Sequence, residues 1–310
     1  MNETKYENEP NCESGALQPF TTVLGAVLRT TRIKNGSGLR EVGRAIGKHP
    51  AIVSNWERGS RTPPSEDVAG VLGALNVVGE DKTRIRNLAA VTTPGVIVTG
   101  RQDVPHHLAT LIDCEAQAAQ VTVWEPLLVP ELLWDEDYAR ETLLALGYAP
   151  ERAARLAELQ TDRRHLREQP LPITAYLGET ALTRRAASDR AMCSQLRRLA
   201  QLNVSADEQI TVRVVPFSKI ALHPGLSSPW AIYSMEKRAI VYLGHVESGT
   251  FVDDQDCHYS RAADQLSDKA LSKEESTKAL LSFAAKHALN QLEDNDEPPV
   301  VSSVATRTPR

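Results

Sequence analysis

The chain of 310 residues is poor in aromatics (5%) and has only four cysteines, Cys12, Cys114, Cys193 and Cys257. They are scattered, with no CxxC and no short repeated spacing. This excludes a zinc framework and a disulfide scaffold, so reduced thiols in a cytoplasmic protein are expected. No run of about 18 apolar residues exists. The nearest, VTVWEPLLVPELLW, is broken by Glu125, Pro126, Pro130 and Glu131, so no membrane span is expected. The first residues, MNETKYENEPNCE, lack the basic start and apolar segment of a secretory signal. Motifs of catalysis are also missing: there is no GxxxxGK[ST], HExxH or GxSxG, and no glycine-rich phosphate loop after a strand. No enzymatic activity and no cofactor are therefore expected.

What is present is enough apolar material (41%) for about two domains, with an uneven charge. The net charge of −5 divides into −3 over residues 1–19, +5 over 20–90 and −7 over 91–310. Between positions 26 and 62 the cations are Arg29, Arg32, Lys34, Arg40, Arg44, Lys48, Arg58 and Arg61, against only Glu41 and Glu57. A basic module on an acidic body suits a head that binds a polyanion while the remainder avoids non-specific contact.

The fold class read from the pattern is α+β overall, an all-α five-helix head joined to a larger α+β C-terminal domain. Residues 1–19 read as a disordered acidic lead-in. Residues 20–90 show helical periodicity: from Thr21 or Thr22 to Lys34, Leu39 to Ile46, Pro50 to Arg58, Ser65 to Leu75, and Asp81 to Ala90. Residues 91–104 read as a linker, 105–290 as a regulatory and dimerisation domain, and 291–310 as a disordered tail. In the body, Pro105–Gln117, Asp135–Leu146, Pro150–Glu168, Asp189–Leu202, His258–Leu266 and Lys273–Leu289 read as helices. Segments 173–182, 209–217, 230–235 and 239–246 alternate as strands do, and suggest a largely antiparallel sheet.

The informative stretch is LREVGRAIGKHPAIVSNWERG, residues 39–59. Two short helices around Gly47 form a helix-turn-helix pattern. Val42, Ala45 and Ile46 on the first, and Val53, Trp56 and Glu57 on the second, are spaced to pack together. His49, Ala51, Ile52, Asn55 and Arg58 are left towards the other side. A helix fits the major groove, where Asn pairs with adenine N6 and N7 and small apolar side chains meet a thymine methyl. Arg40, Lys48, Arg58 and Arg61 are placed to neutralise phosphates.

The stretch resembles the phage-repressor-type (Xre-like) helix-turn-helix family through Val53, Ser54, Asn55, Trp56, Glu57, Arg58 and Gly59, then Arg61 and Pro63. The resemblance covers about residues 21–90. It implies an ion pair between Arg32 and Glu57 and base contacts at Pro50, Ala51 and Asn55. His49 and Ile52, on the same outer side, are read as base contacts too, and Ser54 as a phosphate contact. Pro50 has no donor to offer a base, so direct readout is thin and DNA shape supplements it. Thr31, Ser37 and Gly43 stand where the family usually has leucine, leucine and alanine, a departure expected to loosen the core without touching the DNA face.

The body is similar to the effector domain of actinobacterial Scr1 antitoxin-like regulators. The landmarks are Trp124-Glu125-Pro126-Leu127-Leu128-Val129-Pro130, Glu136-Asp137-Tyr138-Ala139-Arg140 and His223-Pro224-Gly225-Leu226. The resemblance implies a transcriptional regulator alongside a small acidic partner protein. A homodimer on double-stranded DNA is expected because one such head reads only a half-site. The alternative is an antitoxin-like interaction module that binds the partner and autoregulates through DNA. No metal site is expected. Asp253, Asp254, Asp256, Cys257 and His258, with His245, mix hard carboxylates with a thiol and imidazoles, a poorly matched ligand set. They read instead as a solvated loop capping the helix from His258. His106 and His107 are adjacent and point apart on a helix.

Overall fold

The computed structural model describes residues 19–89, 96–99, 104–165, 171–205, 209–219, 226–236, 239–245, 248–254 and 258–296. The chain is α+β. Five helices come first: α1 (Pro19–Lys34), α2 (Leu39–Ala45), α3 (Pro50–Glu57), α4 (Ser65–Ala74) and α5 (Gly79–Ala89). The lead-in at 1–18 and the turn at 223–225 lie outside the described residues. The body follows as β1 (Val96–Thr99), α6 (Val104–Gln117), β2 (Gln120–Glu125), α7 (Glu136–Ala145), α8 (Pro150–His165), β3 (Ile173–Gly178), α9 (Thr180–Thr183), α10 (Asp189–Val204), β4 (Ile210–Val215), β5 (Trp230–Ser234), β6 (Ala239–His245), β7 (Ser248–Asp253), α11 (His258–Lys269) and α12 (Lys273–Asp296).

Among the described residues, seven strands form one mixed sheet in the order β1-β7-β6-β5-β2-β3-β4. The run from β1 to β2 is antiparallel, while β2, β3 and β4 are parallel. Three expectations are corrected here. The segment read as a linker contains β1, whose β-branched run Val96-Ile97-Val98-Thr99 pairs with β7. The strand read over 173–182 stops at Gly178, because the chain turns into the short helix α9. Residues 291–296, placed in the tail, continue α12. Among the described residues, no helix is long and apolar enough to cross a membrane.

The pleat sorts the sheet's side chains onto two faces. Val121, Val123, Ile173, Ala175, Leu177, Val212, Val214, Ala231, Tyr233, Ile240 and Phe251 pack on one face with residues of α6, α7, α8, α10 and α12. Trp124, Tyr176, Val215, Trp230, Ile232 and Val241 pack on the other, against Ala262 and Leu266 of α11. Asp254 fixes the start of α11 by accepting from the amides of Tyr259 (3.1 Å) and Ser260 (3.0 Å). The loop read there as solvated does cap the helix, but Asp254 is buried, since the amides it accepts from replace water.

β4 ends the sheet, and its outward backbone groups would be a template for another chain. They are closed by side chains instead. Asn203 of α10 accepts from the Val212 amide at 2.7 Å and donates to the Val212 carbonyl at 2.9 Å. Ser276 Oγ accepts from the Val214 amide, and the Val214 carbonyl accepts from the Leu271 amide. Replacing Asn203 by leucine orphans two buried backbone groups, each worth about 1–3 kcal/mol. Asn203→Leu is expected to lose about 2 kcal/mol or more in chemical denaturation; a loss below about 0.5 kcal/mol would contradict this role.

Candidate nucleic-acid interface

The turn between α2 and α3 dictates where the outer face of α3 lies. Gly47 has φ +67°, in the left-handed region that favours glycine. Gly43 lets the turn fold back onto α2: a Cβ there would stand 2.7 Å from the Lys48 carbonyl oxygen and 3.3 Å from the Pro50 nitrogen. The departure expected to loosen the core is therefore what allows close packing. Thr31 is likewise accommodated, buried with its hydroxyl donating to the Val27 carbonyl at 2.8 Å. The Ser37 carbonyl accepts from Arg32 Nη1 at 2.9 Å.

Pro50 opens α3 at the position where a missing amide is harmless, and His49 caps it, Nδ1 accepting from the Ala51 amide at 3.2 Å. Sequence reasoning gave His49 a base contact and missed the cap; its place just before a proline at the helix start was the available signal. Val53, Trp56 and Glu57 turn inward and are buried, as is Val42 of α2. Ala45, placed inward by spacing, is exposed, and Ile46 packs in its stead.

Glu57 is held by the buried end of Arg32. Nε and Nη2 of Arg32 meet its two carboxylate oxygens at 2.6 and 2.7 Å, a bidentate pair that fixes the end of α3 on α1. The hydrogen bond to Glu57 raises the Arg32 pKa against the opposing effect of burial.

The outward residues are graded. Ala51 and Arg58 are exposed, while Pro50, Ser54 and Asn55 are half-buried. Ile52 is half-buried and packs on the core, so only part of it faces out. Asn55 Oδ1 accepts from Arg58 Nη2 at 2.6 Å. This contact is solvent-exposed, where such pairs are worth little, so it exchanges readily for other partners. Arg40 and Arg61 are exposed. Lys48, expected to meet phosphate, instead lies 3.0 Å from Asp67 of α4, because that helix brings an acid to the turn.

Arg29 also leaves the basic face. It pairs with Asp113 on α6, joining head to body. Asp113 is buried, and burial outweighs the attraction of Arg29, with Glu57 adding repulsion; its pKa is pushed up to about 6. Sequence reasoning had no means to find this contact, which spans 84 positions.

The chain matches the model of a family described as a domain of unknown function (DUF5753) over residues 108–282, more than half its length, from within α6 to within α12. The five helices of the head lie outside that match. No curated protein and no solved structure matches the chain.

The raised Asp113 pKa fixes the sign of a pH dependence. Unfolded, the carboxyl releases its proton near 3.8; folded, it holds the proton to about 6. The folded state binds more protons in that window, so stability falls as pH rises from about 4 through 6. Two units correspond to roughly 3 kcal/mol. In urea titrations from pH 4 to 7, Asp113→Asn is expected to lack this decline, whatever its constant offset; parallel profiles for the two proteins would contradict the assignment.

Proposed function

The chain belongs to the DUF5753 family, and we propose that it is a sequence-specific DNA-binding transcriptional regulator, its head reading the major groove and its body sensing a signal or a partner protein. The observation that carries this reading is the division of α3. One side is locked inward by Val53, Trp56 and the Glu57–Arg32 pair, and the other presents Ala51 and Arg58 to solvent with the half-buried Asn55 between them. A short helix so held, with Arg40 and Arg61 exposed on flanking segments, fits the major groove in size and charge.

The chemistry follows from the resting contacts. Asn55 needs its Oδ1 to accept from adenine N6 and its amide to donate to N7. Arg58 occupies that oxygen in the free protein. A nearby phosphate, carrying full charge, competes for Arg58 and frees Asn55 for the base. Ala51 meets a thymine methyl, His49 serves mainly as the helix cap, and Arg40 and Arg61 set the register on the backbone. One head reads a half-site only, so a homodimer with heads about one helical turn apart is the working assembly.

Two variants separate readout from attraction. Asn55→Ala is expected to weaken binding to the cognate site by about 1–3 kcal/mol while leaving random duplex nearly unchanged. Equal losses on both sequences would remove Asn55 from base reading. Arg61→Ala is expected to weaken all duplexes alike and lower the salt slope by about one unit. A slope identical to that of the parent protein would refute the phosphate contact.

A further inference from the structure

The body forms a half-open cavity of about 530 Å³ between one face of the sheet and the helices α6 and α7, within the size range of small-molecule sites. Leu111, Val123, Trp134, Tyr233 and Tyr242 give it hydrocarbon and aromatic walls. Its exceptional member is Glu125. On β2 the residues alternating with it, Val121 and Val123, are buried in the core, so the pleat places Glu125 where hydrocarbon is called for. A second carboxyl group, Glu131, lies on the same wall, and no described lining residue is lysine or arginine.

We propose that this cavity is the binding site of a small organic cation, an ammonium group on an apolar or aromatic body, with Glu125 as the counter-charge. The aromatic faces favour a cation over a neutral or anionic guest. A positive charge between Glu125 and Glu131 also relieves their mutual repulsion.

The protonation state agrees with the geometry. Burial, then the neighbouring Glu131, pushes the Glu125 pKa up to about 8, beyond what hydrogen bonds from the Leu127 and Leu128 amides offset. The other ionisable groups around it are His245 of β6 and the phenols of Tyr138, Tyr148, Tyr233 and Tyr242. Glu125 is therefore largely protonated at pH 7, and a cation binds by expelling its proton.

The site is independent of the DNA reading, and its test needs no DNA. Calorimetric titration of the full chain would compare 4-phenylbutylamine with its neutral analogue 4-phenylbutanol. The amine is expected to bind about tenfold or more tightly at pH 8, as a charge-assisted hydrogen bond exceeds a neutral one. Its affinity is expected to rise between pH 6 and 8 and level off above. Heats measured in two buffers of different ionisation enthalpy are expected to reveal proton release at pH 7. Glu125→Gln is expected to lose the proton release and most of the preference for the amine. Equal affinity of amine and alcohol for the parent protein, no binding of either, or amine binding without proton release would each overturn the proposal. The unmodified protein carries these readouts even if Glu125→Gln fails to fold.

Discussion

The burial of α1 on all sides is the constraint from which the head takes its position. Every residue from Thr21 to Leu28 is buried, and α1 packs against α3, α5, α6, β1 and β7. A helix apolar around its circumference has no solvent face to turn outward, so it must be an interior element. Its last turns then carry two arginines in different directions. Arg32 holds the end of α3 through Glu57, and Arg29 holds α6 through Asp113. Removing Glu57 leaves the largely buried Arg32 charge stranded, at a cost of about 3–5 kcal/mol. The outer face of α3 is thus aimed by the interior, and the body shares in the aiming.

In the body the two faces of the sheet are sorted by the pleat alone, and the interruptions of that order are informative. Asn203 interrupts an apolar helix face to close the free edge of β4. Arg213 of β4 reaches the carbonyls of Ser267, Ala270 and Leu271 and so ends α11. Both are structural and fully used within the fold. Glu125 interrupts the alternation on a cavity wall, accepting from the Leu127 and Leu128 amides with no lysine or arginine beside it among the described lining residues. Local rules broken in this way are where ligand chemistry is best sought. Leu111 on that wall and Asp113 at the head belong to one helix, α6, so the cavity and the head share a rigid element.

The head was legible in the sequence because its signals are local. Pro50 marks a helix start, Gly47 a turn, and Val53 and Trp56 the buried face through 3.6-residue spacing. The same holds for β4, β5 and β6, which alternate in plain view. β2 was obscured because Trp124 fills its second face, leaving a nearly continuous apolar run that ends in Glu125-Pro126. β1 lies in a segment punctuated by Pro94, Gly95 and Gly100, and β7 carries Gly249 in a six-residue strand, so neither shows a full period. The ion pairs were legible only where family resemblance supplied both partners, as for Arg32 and Glu57. Lys48 looked like a phosphate ligand, and Arg29 like part of a basic face, because their acids, Asp67 and Asp113, reach them only through tertiary packing.

The central claim is that α3 reads DNA sequence. It is tested most directly by selecting bound duplexes from a randomised pool with the purified full chain and sequencing what is retained. The account predicts a single enriched motif with two-fold symmetry, its half-sites centred about 10–10.5 base pairs apart or a multiple of that. A retained pool indistinguishable in sequence from the input would contradict it.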